Sequence, residues 1–159
     1  MPSVTVMVLN RTLKVINETL GAEQSLIMLI SPEEPTLYIR ASLGYSQPVP
    51  KGGQISALKP NDGLVGWVIA NRQPVLVPDL WLDGRWLRRD DQTSQHRSGM
   101  IVPLMMGEDV LGALLLFHRE PGCFTPDQLE LTQATAKQIA VALNKRVDRG
   151  FDQLMADSG

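Results

Sequence analysis

The sequence predicts an α+β fold. A central antiparallel sheet carries the N- and C-terminal helices on one face, and a short helix and long loops lie over a pocket on the other. Three observations carry this expectation. The segments "SLIMLIS" (25–31) and "VLGALLLF" (110–117) are apolar on both faces, as strands covered from both sides must be. Each is joined by a short turn to another strand, which makes two hairpins. The chain opens and closes on helical spacings, so only one short helix near Gly63 is left for the second face.

The elements follow in order. Between residues 3 and 20, Val6, Leu9, Leu13, Ile16 and Leu20 recur in steps of three and four, one helical stripe with Gly21 as its stop. "SLIMLIS" and "TLYIRAS" (36–42) flank "PEEP", a turn of two prolines and two acids. In "TLYIRAS", Leu37, Ile39 and Ala41 alternate with Tyr38, Arg40 and Ser42, the pattern of a strand with one wet face. Residues 46–62, rich in Gly and Pro, read as a loop, with Asn61 or Asp62 available to cap the helix from Gly63. "QPVLVPD" (73–79) is a brief strand ended by Pro78. A second long loop, 80–97, leads to "SGMIVPLMM", the turn at 107–109 and "VLGALLLFH". Thr125-Pro126-Asp127-Gln128 opens the last helix with a capping threonine, a proline at the first helical position and a glutamine three residues after the cap. Its face carries Leu129, Ala136, Ile139 and Leu143 and extends toward Val147 and Gly150.

The chain of 159 residues is read as one domain: helix 1–20, sheet, short helix and pocket loops 21–124, terminal helix 125–149, and tail or linker 150–159. With 15 Lys+Arg against 17 Asp+Glu and a net charge of -2, nucleic acid is not an expected partner. The apolar run in the second half is far shorter than the roughly 20 residues a bilayer demands, so no membrane insertion is expected. The N-terminus lacks the basic start and apolar run of a signal peptide. A single cysteine, Cys123, supports neither an internal disulfide framework nor a multi-cysteine metal site, and a reducing cytoplasm is the simplest location.

Four segments in order resemble the GAF domain, a small-molecule sensory module with a PAS-related fold. "GLVGWVIANRQPVLVPD" (63–79) resembles the family's G-x-x-G-W/R-V helix followed by x-x-P-V-x-V-x-D. "LDGRW" (82–86) resembles its D-P-R-F/W element, with Gly84 where proline is usual. "SGMIVPLMMGEDVLGALLLFHRE" resembles its S-x-x-x-V-P-L hairpin and G-x-x-x-G-x-L return strand, and "CFTPDQLELTQATAKQIAVAL" its terminal helix. The resemblance covers roughly residues 5–148 and implies a ligand pocket on the sheet face away from the terminal helices.

Specialised members of the family differ in what that pocket holds. Bilin-binding members attach their chromophore through a cysteine in the loop before the final hairpin. The corresponding "QTSQHRSGM" (92–100) has His96 and no cysteine, so no bilin is expected. The N-K-F-D-E constellation of cyclic-nucleotide-binding members has no counterpart here. Free methionine sulfoxide reductases use several cysteines, because the chemistry needs a nucleophile and a resolving thiol. Haem needs an axial histidine, for which only His96 and His118 are available, and no cofactor is expected. Nothing in the chain marks a Ser-His-acid set, metal-ligand spacing or phosphate-binding glycine loop, so no enzyme activity is expected.

The candidate ligand-binding residues are Trp67, Asp79, Trp81, Arg85, Trp86, His96, Arg97, Ser98 and Met100. Each also has a purely structural reading. Trp67, in an apolar helix, serves the core or touches a ligand. Trp81 and Trp86 line a pocket or plug it. Asp79, Asp83 and Arg85 tie the loop to itself. His96 with Arg97 is suited to a carboxylate or phosphate. His118 reads as a partly exposed strand-end residue, and Cys123 as a small residue in a turn.

Two functions fit. In the first, a small molecule orders the 80–97 loop and biases the terminal helices, which pass the change to an output domain of a signalling protein such as a histidine kinase. In the second, the domain is a ligand-free dimerisation and spacer unit. Both allow a homodimer in which the stripes on residues 6–20 and 129–147 pair as a four-helix bundle, unless those stripes cover the domain's own sheet.

Overall fold

The structure is a computed structural model that describes residues 4–31, 36–45, 54–57, 63–86 and 95–143. The helices are α1 (Val4–Leu20), α2 (Gly63–Asn71) and α3 (Pro126–Ala142). The strands are β1 (Gln24–Ile30), β2 (Thr36–Leu43), β3 (Gln54–Ala57), β4 (Val75–Val77), β5 (Ser98–Met106) and β6 (Asp109–His118). They form one antiparallel sheet in the order β3-β2-β1-β6-β5-β4.

The two strands that are apolar on both faces lie side by side at the centre, as the sequence predicts. Ile27, Leu114 and Leu116 face a core closed by α1 and α3; Leu26, Met28, Leu115 and Phe117 face a second core closed by α2. Contact between the two strands is close enough to demand glycine. A Cβ on Gly112 would stand 1.9 Å from the Met28 carbonyl oxygen.

An isolated 17-residue helix is marginal in water, so packing must hold α1. Leu9 and Leu13 are wholly buried and Ile16 and Leu20 nearly so, each at a gain of about 1.5–3 kcal/mol over exposure. Ala136 and Ile139 of α3 enter the same core, with Leu129 and Leu143 packed at its margin. The stripes read from the sequence therefore cover, as far as residue 143, the domain's own sheet. The apolar residues that α1 leaves exposed are Val4, Met7, Val8 and Val15, on its opposite side.

The cap of α3 forms as the sequence predicts. Thr125 Oγ1 accepts from the Gln128 N–H at 3.2 Å and Gln128 Oε1 from the Thr125 N–H at 2.8 Å. Gln128 also donates through Nε2 to the Leu20 carbonyl at 3.2 Å, which ties the end of α1 to the start of α3. Arg72, at φ 54°, ends α2 in the left-handed conformation, and its Nε donates to the Glu108 carbonyl at 3.0 Å in the β5–β6 turn.

Two expectations are corrected. The segment 46–62 is not all loop, because Gln54–Ala57 pairs with β2 as an edge strand. The alternation of Leu37, Ile39 and Ala41 does not mark one face. Ile39 pairs with Met28 and Ala41 with Ile27, so Arg40 is an extra residue in the ladder. That bulge turns Ala41 toward the terminal helices while Leu37 and Ile39 face α2. The "PEEP" turn, the Asn61 or Asp62 cap and the extension past residue 143 lie outside the described residues.

Candidate functional site

After β4 the chain turns through a single 3-10 turn, Leu80–Leu82, and this turn is fastened to the start of β5. The Asp79 carboxylate caps it, accepting from the Trp81 N–H at 3.1 Å. The same carboxylate receives the Arg97 fork, Nε at 3.0 Å and Nη2 at 2.6 Å. The Arg97 guanidinium lies 4.0 Å from the Trp81 ring centroid, and the Leu80 N–H donates to the Arg97 carbonyl. Arg97 N–H in turn donates to the His118 carbonyl at 2.8 Å. The ends of β4, β5 and β6 are thus locked together by one arginine.

Four residues further on, the arrangement repeats. Asp83 accepts from the Arg85 backbone N–H at 2.9 Å and from its side chain at 3.0 and 2.7 Å. The Arg85 guanidinium sits 4.6 Å from the Trp67 ring centroid on α2. Hydrogen bonds from Arg97 and Arg85 hold Asp79 and Asp83 below the usual carboxylate range, against the opposing effect of burial. The two arginines are held above their ordinary value by the same bonds.

Between these two staples stands an aromatic cluster. The wholly buried His96 ring stacks on Phe117, with centroids 4.1 Å apart and planes at 11°. Trp86 lies against Phe117 at 5.4 Å and His96 at 6.2 Å, and Tyr45 meets His96 edge-on at 5.9 Å. Such pairs add about 0.5–1.5 kcal/mol each beyond area burial. Gly99 makes room for the stack: its register partner is Phe117, and a Cβ there would stand 2.9 Å from Phe117 Cδ1. The Trp86 indole Nε1 is buried and has no hydrogen-bond partner among the described residues. An N–H in that condition costs free energy comparable to a lost hydrogen bond.

Of the nine candidates, Trp67, Asp79, Trp81, Arg85, Trp86, His96 and Arg97 gather in the staples and the cluster. Ser98 and Met100 do not join them. Strand periodicity turns both toward the terminal helices. Ser98 Oγ donates to the Glu120 carbonyl at 2.6 Å, and Met100 is wholly buried in the helix-side core with its Sδ 3.9 Å from Thr132 Oγ1. Sequence reasoning missed Tyr45 and Phe117. A glycine inside β5, with a phenylalanine opposite in β6, was the available signal for Phe117.

His118 ends β6 partly exposed, as expected, and its Nδ1 accepts the Glu120 N–H at 3.0 Å. The same nitrogen lies 3.4 Å from Glu23 Oε1. Glu23 is paired with Arg119 at 3.0 Å, which holds its carboxyl below the usual range. Cys123 Sγ lies 3.4 Å from the Glu120 carbonyl, in the turn before α3 and beside the helix-side core. Among the described residues, no group of three or more His, Cys, Asp or Glu is placed to hold a metal ion. No described helix is long and apolar enough to cross a membrane.

The family model of the GAF domain matches residues 6–143. Solved structures agree in fold. The GAF domain of a phosphoenolpyruvate-protein phosphotransferase from Coxiella burnetii superimposes with a TM-score of 0.79 at 18% identity, over 94% of this chain and 88% of that one. A free methionine-R-sulfoxide reductase from Neisseria meningitidis, in complex with its substrate, gives 0.75 at 20% identity over 92% and 80%. The GAF-B domain of DevS from Mycobacterium smegmatis gives 0.66 at 22% identity over 87% and 91%. A search of curated proteins finds no match. The chain belongs to the GAF domain family.

Proposed function

We propose that this GAF domain is a cytoplasmic regulatory domain that binds a small molecule on the α2 side of its sheet. Binding reorganises the described residues 80–86 and 95–97 and passes through the sheet to α1 and α3, which bias an attached output domain. One observation carries the reading: the buried indole N–H of Trp86, without a hydrogen-bond partner among the described residues, inside a cluster of Tyr45, His96 and Phe117. Aromatic walls with a few polar groups among them are the composition of a small-molecule site. The route to the helices is short, since β5 pairs along its whole length with β6 and both strands contribute to the helix-side core.

The proposal is non-catalytic. A reductase neighbour exists, yet sulfoxide reduction by thiols needs an attacking and a resolving cysteine, and this sequence has only Cys123. Cys123 lies beside the helix-side core, away from the aromatic cluster. The domain is further proposed to dimerise through the outer face of α1, where Val4, Met7, Val8 and Val15 are exposed.

The test is to record native and denaturing mass spectra of the purified chain side by side. A mass excess that vanishes on denaturation is the expected result. A bare dimer mass would instead favour the spacer role, in which the aromatic residues simply fill the face they cover.

A further inference from the structure

We infer that His118 is a proton-operated latch on the connection from β6 into α3, a regulatory device separate from the α2-side cluster. It does not depend on ligand binding. It rests on the place of one ring nitrogen between a donor and an acceptor.

His118 Nδ1 lies 3.0 Å from the Glu120 backbone nitrogen, which donates to it, and 3.4 Å from Glu23 Oε1, which when ionised only accepts. One nitrogen cannot serve both. Without a proton it accepts from Glu120. In the imidazolium it carries a proton, can no longer accept, and turns to Glu23. Glu23 is charged in both states, because hydrogen bonds from the Arg119 side chain hold its carboxyl below the usual range. The other charged groups described at this corner are Arg119, bonded to Glu23, and Glu120 itself. From β5 the uncharged Ser98 stands opposite His118 in register, the thiol of Cys123 lies beside the Glu120 carbonyl, and Asp127 in the first turn of α3 is exposed.

What the proton releases is the turn that leads into α3. The Glu120 N–H is held by His118, and its carbonyl accepts the Ser98 hydroxyl at 2.6 Å. Two residues on, the Gly122 N–H donates to the Pro78 carbonyl at 2.8 Å. These bonds fasten the turn to β4, β5 and β6, and Phe124 then enters the helix-side core just before Thr125 caps α3. Glu23 stands in the connection between α1 and β1. The protonated ring therefore moves its hold from the connection into α3 to the connection out of α1. With 22% of its side chain exposed, His118 is open to protons from solvent.

The experiment follows the full, isotope-labelled chain by NMR from about pH 8 to about pH 5.5, above the range in which carboxylates ordinarily titrate. The His118 ring nitrogens, assigned by through-bond connectivity, report the charge of the ring. Hydrogen exchange, corrected for the intrinsic rate at each pH, reports the backbone bonds. As the ring gains its proton, protection of the Glu120 N–H should fall about five- to ten-fold, the worth of one hydrogen bond, with the same midpoint. Gly122 should follow in the same direction. The Arg119 N–H, which donates to Glu23 Oε1 at 2.8 Å, should keep its protection. His118→Asn leaves an acceptor near the position of Nδ1 but no titrating ring, so protection at Glu120 should become constant over the range.

Level protection at Glu120 while His118 takes up its proton would overturn the inference. So would a ring that keeps one charge state throughout, a fall at Arg119 equal to that at Glu120, or a pH response that survives in His118→Asn. The first three are read in the unmodified chain and decide the question even if the variant does not fold.

Discussion

The imidazole of His96 lies parallel to the ring of Phe117, with centroids 4.1 Å apart, and the opposite strand supports that ring with a glycine. A Cβ at Gly99 would stand 2.9 and 3.1 Å from two carbons of the Phe117 ring. The aromatic stack on the α2 side is therefore seated on a missing side chain in β5. The close approach of β1 and β6 at Gly112 has a different cause: there the obstacle is the backbone of Met28.

The two glycines should consequently behave differently. Gly99→Ala forces the Phe117 ring and the stacked His96 to shift, which should cost about 1–3 kcal/mol as overpacking does. The near-ultraviolet circular dichroism of Trp86 should change with it. Gly112→Ala places a methyl 1.9 Å from a carbonyl oxygen that cannot move without breaking the central ladder, and should leave no soluble folded protein. Chemical denaturation of the first variant and solubility of the second check the pair. A folded Gly112→Ala protein with a normal midpoint would refute the account of β1–β6 packing.

Acid should loosen the fold through three carboxylates. Asp79, Asp83 and Glu23 all have folded values below their ordinary ones of 3.8, 3.8 and 4.5, each chiefly through hydrogen bonds from its arginine. Depressed values mean that their stabilisation is complete above the unfolded values and is lost as pH falls through the folded ones. The denaturant midpoint should thus be flat above about pH 5.5 and fall below about pH 4.5. Asp83→Asn should lower the neutral midpoint by less than about 1 kcal/mol, because Arg85 is half open to solvent. Its midpoint should approach that of the unmodified chain at the acid end. Parallel acid profiles for the two proteins would show that the Asp83–Arg85 pair does not contribute to stability.

Legibility in the sequence followed the physics of each element. β1 and β6 could be read because apolar residues on both faces admit little but a central strand. The start of α3 could be read because Thr125, Pro126 and Gln128 satisfy three separate local demands. β3 could not, since four residues among glycines and prolines become a strand only when β2 offers them a partner. The bulge at Arg40 was equally hidden, because an inserted residue changes which face follows it without altering composition. At the candidate site the loop's Asp, Arg and Trp residues could be named but not paired. Asp79–Arg97 spans 18 positions, and such a pairing is set by the sheet that brings β4 and β5 together. Ser98 and Met100 were grouped with His96 by nearness along the chain, whereas the alternation of β5 sends them through the sheet to the other side.

The reach of Gln128 gives a sharper test of the α1–α3 junction. Thr125→Ala should cost about 1 kcal/mol, the usual worth of a helix cap. Gln128→Glu keeps an acceptor for the Thr125 N–H but removes the donor to the Leu20 carbonyl and sets a carboxylate beside that oxygen. Hydrogen exchange should quicken in the last turn of α1 in Gln128→Glu and stay unchanged there in Thr125→Ala. Equal exchange in both variants would mean that the Gln128–Leu20 bond does not couple the helices.

The outer face of α1 supplies the remaining test. Leu9, Leu13, Ile16 and Leu20 are buried under the sheet, so a dimer made through α1 must use Val4, Met7, Val8 and Val15, which are 39, 59, 43 and 55% exposed. These four lie within about 100° of one another around the helix, on the side away from the buried stripe. Val8→Glu with Val15→Glu should therefore convert a dimer to a monomer in light scattering at micromolar concentration. Neither residue belongs to the buried core, so the monomer's thermal midpoint should change only slightly, as surface substitutions usually do. Substituting Leu13→Ala should act the other way round, costing about 2–5 kcal/mol of stability without specifically opening the interface. A double glutamate variant that remains dimeric would place the contact elsewhere. A parent chain that is already monomeric at that concentration would remove the dimer from the proposal and leave ligand binding to be judged on its own.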